Sequence, residues 1–380
     1  MKFLKILSVI LTALIVVTSC PVMPVFALSD KDITAPSAVL MDALTGEVLY
    51  EKSPHEIRSC ASITKVMTLL LVMEALESGK LSLDDNITAS AHAASMGGSD
   101  IWLEQGETMT ADEMIKATIV ASANDAAVAL AEHISGTEEE FVESMNKRAK
   151  ELKMNDTVFM NCNGLDEDGH VTSAYDVALM SKELIKHKKI LEYSSIWMDE
   201  LRGGKTQLVN TNKLLKSYKG ITGLKTGTTS KAGSCISATA ERDGLSLVAV
   251  VLGSESGKAR FSDASKLLDY GFANFTMYSP DIPDEAVTDI TVKNGMIGTV
   301  GTNVSSADKM LIKKGSESGI SSEVILPAET DAPVDKGAVI GKLIYKNGGK
   351  QIAEYPITAA ESVKQINFGD IFGIFIRSLI

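Results

Sequence analysis

Three short clusters carry side chains able to do covalent chemistry: Ser62-Ile63-Thr64-Lys65, Ser122-Ala123-Asn124 and Lys225-Thr226-Gly227. A serine hydroxyl is a poor nucleophile until a base takes its proton. Lys65 stands three residues after Ser62, so on a helix the two side chains face the same way. A lysine can be that base only if its ammonium form is destabilised, by burial or by a second cation. Lys225 is the candidate second cation. The N-terminus of the helix that Ser62 opens adds partial positive charge where an alkoxide and an oxyanion develop. Ser122 could pass a proton from Lys65 to a leaving amine. The Asn124 amide could hydrogen-bond the substrate's backbone or hold Lys65. On an edge strand lining a cleft, Lys225 would meet a substrate carboxylate, with the hydroxyls of Thr226 and Thr228 as further donors. Gly227 lets the backbone approach closely. The N–H groups of Ser62 and Thr228 are candidates for an oxyanion hole. The chemistry is serine acyl transfer with lysine as base.

Each cluster alone is a weak signal. S-x-x-K recurs at Ser144/Lys147 and Ser306/Lys309, and S-x-N at Ser144/Asn146, whereas K-T-G occurs once. At 144 and 306 the plain reading holds, a surface serine and a solvated lysine. At Ser62 the apolar helix behind it and the two partner clusters, in that order and at those gaps, tip the balance.

Positioning these residues takes an α+β arrangement. Ala38–Ala43 and Glu47–Tyr50 flank Thr45-Gly46 as a β-hairpin. Ile63, Val66, Leu69, Leu70 and Met73 repeat at helical spacing, and Gly79 ends the run. Thr110 with Glu113 is a candidate capping box for a helix through Ile115 and Ile119, near whose end Ser122 falls. Further helices are expected over about 126–134 and 141–152. Ser173 with Asp176, after a turn-rich stretch from Asn161, is a second candidate capping box. Strand character returns at Cys235–Ala240 and Leu245–Leu252. Strands at both ends of residues 28–278 with helices between imply one sheet built from both chain ends around a helical insert. From 281 to 362 short β-patterned runs imply a small all-β domain: Val287–Val292, Met310–Lys313, Val324–Pro327, and Lys342–Tyr345 joined through Asn347-Gly348-Gly349 to Ile352–Ile357. In 364–380, Phe368, Ile371, Phe372, Phe375 and Leu379 fall on one helical face, opposite Asp370, Gly373 and Arg377. Roughly fifteen helical residues are too short to span a bilayer but can lie in its surface. That reading is preferred to a terminal helix packed on its own domain.

Composition bounds the partners. Of 380 residues, 45% are hydrophobic, and the formal charge is −12, which argues against nucleic acid. Lys2 and Lys5, the apolar Ile6–Val17 and Val25-Phe26-Ala27 read as an export signal over 1–27. A lipoprotein signal at Val17-Thr18-Ser19-Cys20 ranks second, because Pro21 follows the cysteine at once. Cleavage after Ala27 leaves Cys60, Cys162 and Cys235, read as buried free thiols in preference to a disulfide.

The S-x-x-K, S-x-N and K-T-G set resembles that of the β-lactamases and penicillin-binding proteins. The chain is most similar to the low-molecular-mass penicillin-binding proteins, the serine-type D-Ala-D-Ala carboxypeptidases. Ala61–Thr68, Ser122–Ala126 and Leu224–Thr229 look like that family's three motif segments. Asn163-Gly164-Leu165, Ser173–Asp176, a trailing β domain and an amphipathic C-terminus also fit. The resemblance implies a transpeptidase-like catalytic domain over 28–278, with the site between sheet and helical subdomain. It implies that Ser62 attacks the penultimate D-alanine carbonyl of a peptidoglycan stem peptide, that terminal D-alanine leaves, and that water releases the acyl-enzyme. β-Lactams would trap Ser62, and no metal or organic cofactor is needed.

The nearest rival is a β-lactamase, which needs a deacylating glutamate. Glu151 with Asn155 has a tempting spacing, but it falls at the end of a helical pattern, and the second cluster is not S-D-N. Glu167 and Asp168 lie in a suitable loop without a distinctive pattern, so reuse of Lys65 is the simplest deacylation base. A non-enzymatic wall- or β-lactam-sensing protein would not need the intact trio. The five histidines (55, 92, 133, 170, 187) include no H-E-x-x-H, and His170, in the loop before a helix, reads as structural or on the rim of the site in preference to a ligand. A G-x-S-x-G elbow is absent.

Overall fold

The computed structural model describes residues 27–304 and 307–378, so the export signal, Ser306 and Leu379 lie outside the described residues. The chain divides into two compact units, Leu28–Pro280 with Asp308–Ile312, and Asp281–Ala307 with Lys313–Ile380.

In the first unit a five-stranded antiparallel sheet draws on both ends of the segment. Its strands are β1 (Ser37–Asp42), β2 (Val48–Lys52), β7 (Ile221–Thr229), β8 (Gly233–Arg242) and β9 (Leu245–Ser254), in the order β2-β1-β9-β8-β7. β1 lies between its hairpin partner and β9, with Val39 opposite Val250. Period-two alternation splits these strands between two cores. Val39, Met41, Val248 and Val250 face the helical insert, while Ala38, Leu40, Leu247 and Ala249 pack with Leu267, Leu268 and Phe272. Strands covered on both faces read as nearly unbroken apolar runs, as β1 and β9 do.

Between β2 and β7 the chain forms α1 (Lys65–Glu77), the paired short strands β3 (Asn86–Thr88) and β4 (Thr108–Thr110) with α2 (Ala91–Ala94) between them, then α3 (Ala111–Lys116), α4 (Asn124–Ser135), α5 (Glu138–Glu151), α6 (Ala174–Leu184) and α7 (Lys189–Ser194). The hairpin β5 (Met198–Leu201) with β6 (Thr206–Val209) and the short α8 (Leu214–Ser217) precede β7. After β9 come α9 (Gly257–Asn274) and β10 (Phe275–Tyr278). α1 is buried along nearly its whole length and forms the axis of the insert. The capping box at Thr110 forms in full: Glu113 N–H donates to Thr110 Oγ1 and Thr110 N–H to Glu113 Oε2. At Ser173 only half of one forms. Ser173 Oγ accepts from Asp176 N–H, but the Asp176 carboxylate turns to Asp156 N–H and Thr157 Oγ1.

The second unit holds β11 (Asp289–Lys293), β12 (Thr299–Asn303), β14 (Ile320–Ile325), β15 (Glu329–Asp331), β16 (Val339–Asn347) and β17 (Lys350–Ala359), in one six-stranded sheet ordered β14-β16-β17-β12-β11-β15. The intervening β13 (Met310–Lys313) pairs instead with β10, and residues 308–312 group with the first unit. That run was expected in the β domain; its short apolar pattern suits either sheet. The last helix, α10 (Phe368–Ser378), leaves Phe368, Ile371, Phe372 and Phe375 exposed. No helix among the described residues is long and apolar enough to cross a membrane. Cys60, Cys162 and Cys235 are buried free thiols.

Candidate active site

Ser62 sits in a 3-10 turn, Ala61–Thr64, directly ahead of α1, not on the α-helix expected. In a 3-10 turn residues three apart eclipse one another, so the nucleophile and Lys65 still meet. Lys65 Nζ lies 3.1 Å from Ser62 Oγ, and it also donates to Asn124 Oδ1 at 2.5 Å and to the Asn163 carbonyl at 2.6 Å. Asn124 cannot turn over, because its Nδ2 donates to the Gly97 carbonyl. Two of the three contacts of Lys65 are therefore obligate acceptors. A neutral amine gives its two N–H bonds to them and presents its lone pair to Ser62. Burial lowers the Lys65 pKa to about 7, against opposing pulls from Cys162 and Asp125.

Ser122 and Asn124 come from the break between two helices. α3 runs on into a π turn, Ala117–Ala121, which ends at Ser122 with φ +64°. A left-handed serine is uncommon outside glycine-tolerant positions. Here it turns the hydroxyl toward Lys225 and lets α4 start at Asn124. Asn124 N–H donates to the Ser99 carbonyl, and the Asp125 carboxylate accepts from Ile101 and Leu103 N–H. The second motif thus holds the 97–103 loop beside it.

The third motif lies on β7, an edge strand as expected. Lys225 is fully buried and donates to Ser122 Oγ at 2.8 Å and to the Thr226 carbonyl at 2.9 Å. Burial first, then the charges of Lys65 and Arg260, push its pKa well down. Thr226 Oγ1 donates to Thr211 Oγ1 at 2.7 Å. Gly227 needs to be glycine: a Cβ would stand 2.7 Å from the Cys60 carbonyl and 2.9 Å from Ser62 N. β7 therefore lies against the nucleophile turn.

One residue here gave no signal in the sequence, and two others take their place from the fold. Arg260, on α9, donates to the Gly227 carbonyl at 2.9 Å and to Thr228 Oγ1 at 2.8 Å. Gly164 presses on the nucleophile turn, where a Cβ would come within 2.1 Å of the Ala61 carbonyl. His170 is structural, as read. Its Nδ1 accepts from Met160 N–H at 3.1 Å, so Nε2 carries the proton and donates to Thr64 Oγ1 at 2.7 Å. Burial lowers its pKa to about 4, so it stays neutral under this turn. Glu151 is exposed at the end of α5 and pairs with Arg148, remote in role from a deacylating carboxylate. Among the described residues no cluster of side chains is arranged to hold a metal ion.

The trio therefore converges: a buried lysine on a serine, a second hydroxyl on a second lysine, and a glycine strand against the serine turn. Residues 24–256 match the family profile for D-alanyl-D-alanine carboxypeptidase, and residues 272–365 that for the penicillin-binding protein 5 C-terminal domain. The chain is 41% identical over 374 residues to the D-alanyl-D-alanine carboxypeptidase DacF of Bacillus subtilis, covering 96% of each. It superposes on penicillin-binding protein 5 of Haemophilus influenzae with TM-score 0.78 and 32% identity, over 89% of this chain and 100% of that one. Penicillin-binding protein D2 of Listeria monocytogenes, solved in its ampicillin-bound form, matches with TM-score 0.58 and 35% identity over 63% of this chain and 98% of its own. The chain belongs to the D-alanyl-D-alanine carboxypeptidase family of serine hydrolases, among the low-molecular-mass penicillin-binding proteins.

Proposed function

We propose that Ser62 is the nucleophile that removes terminal D-alanine from peptidoglycan stem peptides ending in D-Ala-D-Ala. Lys65 takes the Ser62 proton as Oγ bonds to the penultimate carbonyl carbon. The oxyanion is held by the N–H groups of Ser62 and Thr228. Ser122 relays the proton to the leaving amine, with Lys225 fixing its hydroxyl, and free D-alanine departs. Lys225, Thr226 and Thr228 favour the terminal carboxylate, and Arg260 adds positive charge behind Thr228. Asn124 holds Lys65, and Gly227 keeps β7 against the serine turn. Water then attacks the acyl-enzyme with Lys65 as base again. The carboxylate of Asp125 is occupied by backbone N–H groups and offers no alternative. A β-lactam follows the same first step and stays on Ser62.

The observation that carries this reading is the triple contact of Lys65, whose two obligate acceptors leave the lone pair to Ser62. We also place the enzyme outside the cytoplasm, exported by residues 1–27 and resting on the membrane surface through α10, with residues 28–278 as catalytic domain and 281–362 as spacer. Incubation with a fluorescent penicillin is expected to label Ser62, and mass spectrometry of a stem pentapeptide to show loss of one alanine. Labelling of Ser62→Ala would falsify the nucleophile assignment. Rapid hydrolysis of penicillin with an intact pentapeptide would favour a β-lactamase instead.

A further inference from the structure

Three glutamates open α5, and only the first is turned inward: Glu138 is buried, whereas Glu139 and Glu140 are exposed. A carboxylate in the first turn of a helix is favoured by the helix dipole even at the surface. Its burial therefore points to partners. Glu138 Oε1 accepts the backbone N–H of Cys162 at 2.9 Å, and Oε2 meets His92 Nε2 at 2.7 Å. On the other side of the same residue, the Cys162 carbonyl accepts from Thr68 Oγ1 at 2.5 Å, one turn along α1 from Lys65. Both backbone polar groups of Cys162 are thus held by side chains, outside any sheet or helix. The next carbonyl, that of Asn163, is the one bonded to Lys65. The loop beyond closes on itself through Asn161 Oδ1 to Gly164 N–H and Asn163 Oδ1 to Leu165 N–H.

We propose that Glu138 is a positioning residue for the acylation step: through the Cys162 N–H it holds the Asn163 carbonyl at the place where it orients the Lys65 amine toward Ser62. It touches no reacting atom. This rests on the assignment of Lys65 as the base. The carbonyl matters because it removes one N–H direction from the amine, and a displacement of about 1 Å at such a group costs on the order of a hundredfold in rate. Three observations separate this from ordinary helix-end decoration. The carboxylate is buried, its partner is a backbone N–H with no secondary-structure mate, and one residue later the chain touches the base.

The charged groups around the relay are few. His92 faces Glu138, Glu132 and Glu139, which raise its pKa, the bond to Glu138 first. Lys65 feels Cys162 and Asp125, and Lys225 feels Lys65.

The experiment measures penicillin acylation rate against pH, with thermal unfolding, on the full chain. Glu138→Ala is expected to slow acylation at least tenfold with little change in the noncovalent affinity for penicillin. It should also raise the acid limb of the profile, because a loosened loop admits water to Lys65. Glu138→Gln keeps an acceptor for Cys162 N–H and is expected to restore most of the rate. Glu138→Asp keeps the charge but shortens the reach, and serves where the alanine variant does not fold; it is expected to slow acylation without matching loss of stability. His92→Ala removes the imidazole that Glu138 Oε2 meets and should leave the limb in place. Acylation within twofold of the unaltered enzyme in Glu138→Asp or Glu138→Ala overturns the proposal. So does an equal loss in Gln and Ala, or a limb that disappears with His92. Absence of Ser62 labelling in the unaltered enzyme would instead remove the base assignment beneath it.

Discussion

At the scale of single residues, Lys65 as the proposed base would set the pH behaviour. In that role its free amine is the active form, so the acylation rate is expected to rise with pH through about 7 and level off above. A profile of second-order acylation rate against pH tests this. Lys65→Arg keeps the cation and loses the base, and should cost about 10²–10⁴-fold in that rate. The same group acts on stability with a definite sign. Its folded pKa lies below the unfolded value, so between about 7 and about 10.4 the unfolded chain binds more protons, and stability from this group grows as pH rises. Urea unfolding at pH 7 and pH 9 should show a larger gain for the unaltered enzyme than for Lys65→Met. The identities of Ser62, Lys65, Ser122 and Lys225 were legible because S-x-x-K, S-x-N and K-T-G bring unusual side chains together at fixed spacing. Arg260 and Glu138 were not, because an arginine and a glutamate in ordinary surroundings gain a place at the site only when the fold delivers a neighbour.

At the scale of elements, the site depends on two backbone surfaces meeting, the strand β7 and the turn Ala61–Thr64. Gly227→Ala is expected to force them apart, since its Cβ would overlap the Cys60 carbonyl and Ser62 N. Acylation should fall about a hundredfold, while thermal unfolding moves by only a few degrees; stopped-flow acylation and calorimetry measure the two. Strands β1, β8 and β9 were readable from their short apolar runs bounded by turn residues, and α1, α4 and α5 from helical spacing. The 3-10 turn under Ser62 and the π turn before Ser122 were not. Both are departures of one hydrogen-bond step from an α-helix, fixed by tertiary contacts such as His170 to Thr64 and Lys225 to Ser122. The weak strands β5 and β6 also escaped, because a four-residue run with alternating polar positions resembles a loop.

At the scale of the whole molecule, the organisation in two units was visible in the short β-patterned runs that begin after residue 281, while the return of residues 308–312 to the first unit was not. With α10 as a surface foot, truncation after Gln365 is expected to move the protein from the membrane to the soluble fraction with penicillin labelling intact. Equal partition of both forms in a carbonate wash would count against the foot. The sheet order has a last consequence, for timing. β1 is made early, yet its neighbour β9 follows some two hundred residues later. At translation rates of about 5–20 residues per second, β9 leaves the ribosome roughly 10–40 s after β1. Until Leu245–Ser254 arrives, β7 has no sheet to hold it against Ser62. A chain that stops before Leu245 lacks the strand that ties β7 and β8 to β1, and is expected to take up no penicillin.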